Sequence, residues 1–383
     1  MDKKNKNPNV PNLRFSYKGD WSKRKLNEIC LFFKGNGLSK SDLSNEGFPC
    51  ILYGELYTTY KNEVISDIIS KTNTTLSNPF LSRNNDLIIP GSGEDPIDIA
   101  VARAIYQNDI ILGGDLNILR PKSNVSAAFL SYQLNGVRRY DIAKKAQGKS
   151  IVHLHNSDLK EVLVSIPSYD EQLHIVKLLT KIDEMIETQS KIINDYKILK
   201  NHIIKSFIKQ NGTSYLLSEI AELGRGRVIN SAEISKQKNP IYPVYSSQTS
   251  NNGIMGYLDN YDYEGEYITW TTDGANAGTV YYRNGKFNCT NVCGILKIKN
   301  GYDAYYISNI LNCYTKKYVS TNLANPKLMN NVMANIKINL PSIEQQKHSS
   351  KILQSIEYRV EIEEDIKLNL VKQKAFLLKN MFI

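Results

Sequence analysis

The chain contains two copies of one segment, and this internal duplication constrains its fold more than any other feature. The stretch LHNSDLKEVLVSIPSYDEQLHIVKLLTKID, which begins at Leu154, aligns without a gap with LMNNVMANIKINLPSIEQQKHSSKILQSIE, which begins at Leu328. The identical positions are Leu154, Asn156, Pro167, Ser168, Gln172, His174, Lys177, Leu179 and Ile182, matched by Leu328, Asn330, Pro341, Ser342, Gln346, His348, Lys351, Leu353 and Ile356. Upstream, LNEICLFFKG from Leu26 resembles LSEIAELGRG from Leu217. Such self-similarity indicates that one structural unit occurs twice.

A long helix is predicted after each Pro-Ser pair, over 168–211 and over 342–383. Between Tyr169 and about Gln210 there is neither Pro nor Gly. Apolar residues recur there at mixed spacings of three and four, which is closer to a coiled-coil repeat than to a globular helix face. The predicted seam residues are Leu179, Ile182, Ile186, Ile193, Tyr196, Ile203, Leu353, Ile356, Val360 and Leu370. We expect the two seams to pair antiparallel about a pseudo-two-fold axis; the alternative is that each helix packs only on its own domain. Apolar residues off the seam suit further partners: Leu178, Ile192, Ile204, Ile208 and Phe376.

The segments 13–167 and 212–341 are predicted to be two β-rich α/β domains. They contain short apolar runs such as DLIIP, EYITW and GTVYY, which are separated by Gly, Asn and Asp. The expected class is α+β, with two such domains separated by two long antiparallel helices that form a coiled coil. Residues 1–12 are predicted to be a disordered basic tail. Because the flanks resemble each other and the domains barely do, one unit was duplicated and its domains then diverged.

The charge balance favours a polyanionic partner. The chain has 48 Lys and Arg against 38 Asp and Glu, a formal net charge of +10, and nucleic acid is the usual partner of such an excess. A hydrophobic fraction of 41% argues against general disorder. The five cysteines lack the spacing of a zinc site and are expected to be reduced thiols. The absence of a long apolar run and of a signal peptide predicts a cytoplasmic protein.

Basic and polar loop residues are the candidates for contacts with double-stranded DNA. In the first domain they are Lys34, Lys40, Tyr57, Tyr60, Lys61, Ser92, Arg138, Arg139 and Lys149. In the second domain they are Arg225, Arg227, Tyr245, Ser246, Ser247, Gln248, Thr271, Thr272, Asn322 and Lys327. Lys and Arg suit phosphates, whereas amides, hydroxyls and guanidinium groups can also discriminate base edges.

No motif for bond chemistry is found, so no catalytic or metal-binding residue is predicted. The chain lacks a G-x-x-x-x-G-K-[ST] phosphate loop. Asn239-Pro240-Ile241-Tyr242 resembles a methyltransferase motif but lacks its second proline, and no cofactor loop precedes it. The five histidines have no accompanying triad or metal-ligand set. We therefore expect a non-catalytic protein.

The layout resembles the DNA specificity subunit of type I restriction-modification enzymes. The matching parts are LSEIAELGRG with LNEICLFFKG, YSSQTSNNGIMGY, and above all IPSYDEQ and LPSIEQQ at the helix entries. Both copies have Pro-Ser where the family usually has two prolines. The resemblance implies two target-recognition domains that each read one half of a split DNA sequence, with the helices setting the spacer. It also implies two methyltransferase subunits that bind S-adenosylmethionine and two translocase-nuclease subunits that use ATP and Mg, while this chain binds no cofactor.

Three other functions remain open on the sequence alone. A stand-alone DNA-binding regulator with two reading heads needs no partner. An enzyme with a degenerate methyltransferase or nuclease core would have to bind a methyl donor. A coiled-coil scaffold would give no reason for the two domains to diverge while their flanks stayed alike.

Overall fold

The computed structural model describes residues 7–209, 211–320 and 325–383, and the chain in it forms two compact units. Unit 1 comprises Met1–Lys191 with Glu364–Ile383, and unit 2 comprises Ile192–Glu363. Each unit contains one β-rich body and a segment of both long helices. The expected α+β class is confirmed.

The two units differ in the number and order of their elements. The strands are β1 Ser22–Lys25, β2 Cys30–Lys34, β3 Leu43–Ser44, β4 Phe48–Ile51, β5 Val64–Ile65, β6 Ser70–Thr72, β7 Asp86–Pro90, β8 Ser92–Gly93, β9 Arg103–Ile105, β10 Ile111–Leu112, β11 Leu116–Pro121, β12 Val152–His153, β13 Leu163–Ile166, β14 Thr213–Leu216, β15 Ala221–Arg225, β16 Tyr242–Tyr245, β17 Ile254–Leu258, β18 Tyr263–Thr271, β19 Val280–Cys289, β20 Cys293–Ile298 and β21 Lys337–Leu340. The helices are α1 Leu26–Ile29, α2 Glu55–Thr58, α3 Pro96–Ile99, α4 Ala127–Asn135, α5 Arg139–Ala143, α6 Asn156–Lys160, α7 Tyr169–Ile208, α8 Leu217–Ile220, α9 Ser231–Ser235, α10 Ala304–Tyr314, α11 Asn330–Ala334 and α12 Ile343–Asn380. Short 3-10 turns cover Lys40–Asp42, Ser250–Gly253 and Thr315–Tyr318.

The body of unit 1 contains a five-stranded sheet in the order β2-β11-β7-β9-β5 and a four-stranded sheet in the order β10-β4-β6-β3. Strand β7, the run DLIIP, is buried along its whole length, as expected for a strand covered on both faces. Helix α4 packs against β7 and β9 and buries nearly all of its side chains.

The body of unit 2 is built on one six-stranded sheet in the order β15-β20-β18-β19-β16-β17. Helix α10 packs on β18 and β19, and Trp270 lies fully buried in the core between them. A side chain at Gly294 would meet the Trp270 ring at 2.1 Å, so the tight approach of β20 to this ring requires glycine.

The repeated Gln of the Pro-Ser motif makes the same hydrogen bonds in both units. Gln172 donates to Pro167 O at 3.1 Å and accepts from the backbone N–H of Ser126, which caps α4, at 2.9 Å. Gln346 likewise donates to Pro341 O at 2.8 Å and accepts from the N–H of Asp303, which caps α10, at 3.1 Å. Both glutamines are fully buried. The motif therefore fastens each long helix to the first turn of a helix in its body.

Other equivalent residues hold the α1-β2 segment of unit 1 and the α8-β15 segment of unit 2. The Asn156 side chain donates to Phe33 O at 2.9 Å, and Asn330 donates to Gly224 O at 3.1 Å. The Lys122 ammonium donates to Glu28 O at 2.8 Å, and Lys299 donates to Glu219 O at 2.9 Å. In each unit a two-stranded antiparallel sheet joins the start of the body to its end, β1 with β13 and β14 with β21. The duplication thus extends to individual hydrogen bonds.

The two long helices run antiparallel within each unit. In unit 1, Lys374 of α12 pairs with Asp183 of α7 at 2.6 Å, and Leu377 packs in one cluster with Leu179. In unit 2, Lys200 of α7 pairs with Glu357 of α12, and Ile204 packs in one cluster with Leu353. Of the predicted seam residues, Leu179, Ile182, Ile193, Leu353, Ile356 and Leu370 are buried, and Ile186, Tyr196, Ile203 and Val360 are half-buried.

The apolar residues off the seam are mostly used by the chain itself. Ile204 is buried, and Leu178 and Ile208 pack against the cores of their own units. Ile192 is half-buried, whereas Phe376 is 60% exposed. The expectation that all five are available to partners is therefore wrong, because folding already covers most of them.

The N-terminal segment lies against unit 1 from Asn7 onward. Arg14 forms two hydrogen bonds of 2.7 Å with the buried carboxylate of Glu171, at the start of α7. The backbone N–H of Trp21 donates to Asn9 O, and that of Leu13 donates to Asn380 O. Residues 7–12, expected to be part of a disordered tail, are thus placed by contacts; residues 1–6 lie outside the described residues.

Two further expectations concern membranes and cysteines. No helix in the described part of the chain is both long and apolar enough to cross a bilayer. All five cysteines are free; Cys313 is exposed and the other four are buried. Burial raises the pKa of the Cys50 thiol to about 11, which makes this thiol unreactive.

Candidate nucleic-acid interface

A cluster of charged side chains lies where strand β15 of unit 2 ends. Arg225, the last residue of β15, donates to the Thr272 hydroxyl at 3.0 Å. Its guanidinium lies 3.6 Å from the Asp273 carboxylate, and the Lys327 ammonium lies 3.5 Å from the other oxygen of that carboxylate. Three separate chain segments, around residues 225, 272 and 327, therefore meet at one point. We call this cluster the strand-end junction of unit 2.

In unit 1 the backbone positions equivalent to this junction, at the end of β2, are those of Lys34, Ser92 and His153. The backbone hydrogen bonds that build it are repeated. Leu154 N–H donates to Gly91 O at 2.9 Å, as Leu328 N–H donates to Thr272 O at 2.9 Å. His153 pairs with Ser92 as Lys327 pairs with Asp273. Lys34 therefore occupies the position of Arg225, and His153 that of Lys327.

Several predicted contact residues turn out to hold these loops together. Ser92 is buried and donates to Asp115 at 3.1 Å. The Thr271 hydroxyl is buried and accepts from Thr279 N–H at 3.1 Å, and the buried Thr272 hydroxyl donates to Val292 O at 2.9 Å. These three hydroxyls are engaged inside the protein, so their assignment to DNA contacts is corrected to loop support.

The YSSQTSNNG segment forms a polar turn in unit 2. Tyr245, Ser246, Ser247 and Gln248 are all half-buried. Gln248 donates its side-chain amide to Ile254 O, and Ser246 N–H bonds Gly253 O at 2.9 Å, which closes the turn. Asn251 and Asn252 have φ of 48° and 52° and expose their side chains. Asn276 of the neighbouring 271–279 loop donates to Thr249 at 3.2 Å, which joins the two loops.

An arginine that the sequence did not single out supports this turn. Arg283 is only 4% exposed, its guanidinium lies 3.5 Å from the Tyr245 ring centroid, and it donates to Asn252 O at 2.9 Å. Burial is the main cause that lowers the pKa of Arg283, and no carboxylate contributes to the shift. The sequence does not predict that Arg283 is buried, because a basic residue in a strand usually faces solvent. The Asn-Asn-Gly run, by contrast, is a readable signal for a left-handed turn.

Arg227 is held by two acidic side chains. Its guanidinium lies 2.6 Å from Glu233 and 2.9 Å from Asp262. The hydrogen bond to Glu233 is the main cause that raises the pKa of Arg227, and the same hydrogen bond lowers the pKa of Glu233. Arg227 thus offers DNA less free charge than the sequence suggests.

In the body of unit 1, the predicted residues near the four-stranded sheet separate into exposed and buried ones. Lys40 is exposed and lines a groove of about 700 Å³, together with Tyr53 and Glu55. Lys61 is exposed and donates to Thr58 O at 2.8 Å. Tyr57 is half-buried between two core clusters.

Tyr60 and the paired arginines have structural contacts instead of free surfaces. Tyr60 is buried, and its hydroxyl accepts from Ile69 N–H, so its assignment as a DNA contact is corrected. Arg139 donates twice to Ile97 O, and Arg138 donates to Ile383 O and pairs with Asp141.

Of the last two predicted contacts, Lys149 and Asn322, the structure describes only Lys149. Lys149 is exposed in the loop between Gln147 and His153, which pair with each other. Asn322 lies outside the described residues.

Comparisons with known proteins agree on one family. The family model for the type I restriction modification DNA specificity domain matches residues 18–196 and 212–373. Among curated relatives, a putative type I specificity subunit of Mycoplasma pneumoniae is 35% identical over 204 residues, which cover 52% of this chain and 84% of that protein. The specificity subunit of the type I restriction enzyme MpnII from the same organism is 42% identical over 146 residues, which cover 38% of this chain and 43% of that subunit. For several of these relatives the matched region thus spans less than half of their length.

Solved structures support the same fold. The crystal structure of a type I restriction-modification S subunit from M. genitalium superimposes with a TM-score of 0.67 at 17% identity, and the match covers 98% of this chain and 99% of that one. A chain from a structural study of type I restriction-modification complex assembly matches with a TM-score of 0.58 at 13% identity, over 95% of this chain and 98% of that one. With both of its halves matched by the family model, the chain belongs to the type I restriction-modification DNA specificity family.

Proposed function

We propose that this chain is the sequence-reading subunit of a type I restriction-modification complex and carries out no bond chemistry itself. Each body contacts one half of a split DNA target, and the antiparallel helices set the spacer between the halves. The observation that carries this proposal is the repeated strand-end junction, which presents basic groups at equivalent positions of two bodies whose remaining loops differ. Two bodies with the same junction framework but different loop surfaces suit a DNA target whose two halves differ in sequence.

Recognition combines two kinds of contact. Exposed Lys and Arg side chains neutralise phosphates, which gives affinity that falls as salt rises. Polar side chains of the loops, foremost the turn at 245–253, discriminate base edges, and a good bidentate pair contributes about 1–3 kcal/mol. A partner then extrudes the target base, because an exocyclic amine inside the stack is out of reach of an enzyme.

The partners follow from the family and from the duplication. Two methyltransferase subunits, which bring S-adenosylmethionine, dock on the two similar helix-and-flank surfaces. Two translocase-nuclease subunits, which use ATP and Mg, complete the assembly. Phe376 on α12 is exposed and apolar, and it is a candidate contact for such a partner.

The proposal is tested by mapping methylated bases in host DNA with the chain present and with it deleted, while the methyltransferase is kept. We expect a split motif with a fixed gap that is methylated only when the chain is present. Replacing the body of unit 2 by that of another family member should change one half of the motif and leave the other half unaltered. Methylation that does not depend on the chain would contradict the proposal and favour the two-headed regulator.

A further inference from the structure

We propose that the two strand-end junctions are matched phosphate-binding sites, which hold the DNA backbone at each half of the target without reading its bases. This inference deepens the proposed function and rests on it. The basic groups are Lys34 and His153 in unit 1 and Arg225 and Lys327 in unit 2. Their ligand is a DNA phosphodiester.

The protein fixes the position of these groups by the same framework in both units. The side chains of Asn156 and Asn330 hold the carbonyl one residue before Lys34 and Arg225, at 2.9 Å and 3.1 Å. The following glycine in each case donates its N–H to the neighbouring strand, Gly35 to Leu116 O at 3.0 Å and Gly226 to Cys293 O at 3.2 Å. In both units the backbone is thus held on each side of the basic residue, which fixes the position of its Cα atom.

None of the four basic side chains is buried, although Arg225 and Lys327 each lie near Asp273. Lys34 is exposed and forms no ion pair with any described residue. The side chains of Arg225 and Lys327 are 37% and 39% exposed. The His153 ring is exposed and lies parallel to the His155 ring, with 6.1 Å between the centroids. A basic group kept at an exposed position of both bodies points to a ligand that both bodies share.

That shared ligand is a phosphate and not a base. The bodies that surround the junctions are built on different sheets. After the equivalent strands β4 and β16, unit 1 has helix α2 where unit 2 has the YSSQTSNNG turn. Two bodies that read different bases need different contacts to base edges, whereas the backbone offers the same phosphate to each of them. Features common to both bodies therefore suit the backbone.

An acidic side chain lies between the two cations at the junction of unit 2. Asp273 lies 3.6 Å from Arg225 and 3.5 Å from Lys327, which is beyond hydrogen-bond distance on either side. It keeps two cations close together, and they retain a net positive charge. A phosphate that reaches both cations can bond them directly, while Asp273 competes with it. In unit 1 the aligned residue is Ser92, and the nearby acid is Asp115, which accepts from the Ser92 hydroxyl.

The test uses the full-length chain and two fluorescent duplexes, one of random sequence and one that carries the motif found by the methylation map. Binding is measured by anisotropy between 50 and 300 mM KCl for K34Q, R225Q and the double variant. We expect each single variant to reduce the slope of log K against log [KCl] by about 0.9 and to weaken binding roughly five- to tenfold at 0.1 M KCl, equally for both duplexes. Matched controls are K23Q on β1 and K337Q on β21, exposed lysines that should leave the slope unchanged.

Two further variants separate charge from structure. K34R keeps the positive charge and should have the wild-type slope. This result would show that the effect of K34Q comes from the lost charge and not from misfolding. D273N removes the competing acid and should strengthen binding to both duplexes. Slopes of K34Q and R225Q equal to those of the controls would overturn the inference. A change in base preference without a change in slope would also overturn the inference, but it would leave the proposed function intact. If the wild-type chain bound neither duplex, the proposed function itself would be contradicted.

Discussion

Unit 1 and unit 2 use the same hydrogen bonds where a body joins the long helices, and different sheets elsewhere. Gln172 and Gln346 bond equivalent backbone groups. By contrast, unit 1 has a five-stranded and a four-stranded sheet, whereas unit 2 has a single six-stranded sheet. The contacts kept in both units include those that fix a body to a long helix. The parts that differ carry the polar loops, so the molecule separates support from recognition.

The helix ion pairs sharpen this comparison, because they are equivalent in the repeat but differ in burial. In unit 1, Lys374 lies 2.6 Å from both Asp183 and Glu63, whose side chains are 6% and 8% exposed. In unit 2, Lys200 pairs with Glu357, which is 41% exposed. We expect Lys374→Met to lower the free energy of unfolding by about 3–5 kcal/mol, because two buried carboxylates lose their cation. Lys200→Met should cost no more than about 1 kcal/mol. Urea denaturation of both variants measures the difference, and equal losses would contradict the assigned burial.

The pH dependence of the Lys374→Met variant gives a second check. Burial is the main cause that raises the pKa of Asp183, with Glu63 adding to the rise and Lys374 opposing it. A carboxyl whose pKa is raised on folding binds its proton more tightly in the folded state, so its contribution to stability falls as pH rises above the ordinary aspartate range. Removal of Lys374 takes away the opposing charge and should steepen this fall. The destabilisation should therefore shrink when unfolding is measured at lower pH; a loss independent of pH would argue against buried charge as its cause.

The repeated glutamines predict equal effects in the two units. Gln172→Leu and Gln346→Leu each leave a buried backbone N–H and the carbonyl of Pro167 or Pro341 without a partner, which should cost about 2 kcal/mol in the free energy of unfolding. The exposed neighbour Gln345 provides the control, since Gln345→Leu should have a much smaller effect. Hydrogen exchange at Ser126 and Asp303 would show whether each helix cap loosens. A large loss in one unit alone would show that the motif supports only one of the bodies.

The exposed asparagines of unit 2 offer a test of the recognition side. Replacement of Asn251 and Asn252 by Gly keeps the left-handed backbone that their φ values require and removes only the amides. We expect little change in stability and a loss of about 1 kcal/mol in discrimination at the half-site read by unit 2, with the other half-site unaffected. Methylation of a library with randomised half-sites measures both. Reduced discrimination at both half-sites would contradict the division of labour between the bodies.

The smallest effect is expected at the Arg227 pair. Glu233→Gln removes one surface ion pair and should change stability by less than about 1 kcal/mol. Because the variant leaves Arg227 with Asp262 as its remaining acid, DNA binding should strengthen slightly and become more salt-dependent. Anisotropy titrations of the kind used for the junction variants measure this change, and weaker binding would show that Glu233 positions Arg227 for its contact.

The sequence predicted the repeated framework well, because that framework depends on identical residues in an ungapped alignment. Asn156, Gln172 and their repeats could be named in advance, since a side chain that completes a backbone hydrogen bond leaves a fixed residue at a fixed spacing. The class of the fold and the antiparallel helices follow from the same pattern.

The candidate contacts were harder to predict, because residue type does not reveal burial. Thr272 and Tyr60 carry polar groups that suit DNA, yet both bond within the protein. Arg283 is important for the turn but has no distinguishing neighbours in the sequence. The alignment of LNEICLFFKG with LSEIAELGRG already pairs Lys34 with Arg225, whereas the equivalence of Ser92 with Asp273 became clear only through backbone hydrogen bonds between segments far apart in the chain.

The arrangement of the helix ion pairs has a consequence for how such a chain can arise. The offset that aligns Leu154 with Leu328 also aligns Asp183 with Glu357 and Lys200 with Lys374. Each repeat helix therefore contributes one acidic residue and one lysine to these ion pairs. The acid of each helix pairs with the lysine of the other, so the contact is self-complementary, as in an isologous dimer. A single repeat would find the same contacts in a second copy of itself, and covalent linkage adds nothing to that chemistry. Linkage instead allows the two bodies to differ in sequence. Two identical copies must have identical bodies, whereas in one continuous chain each body can be changed by mutation without changing the other.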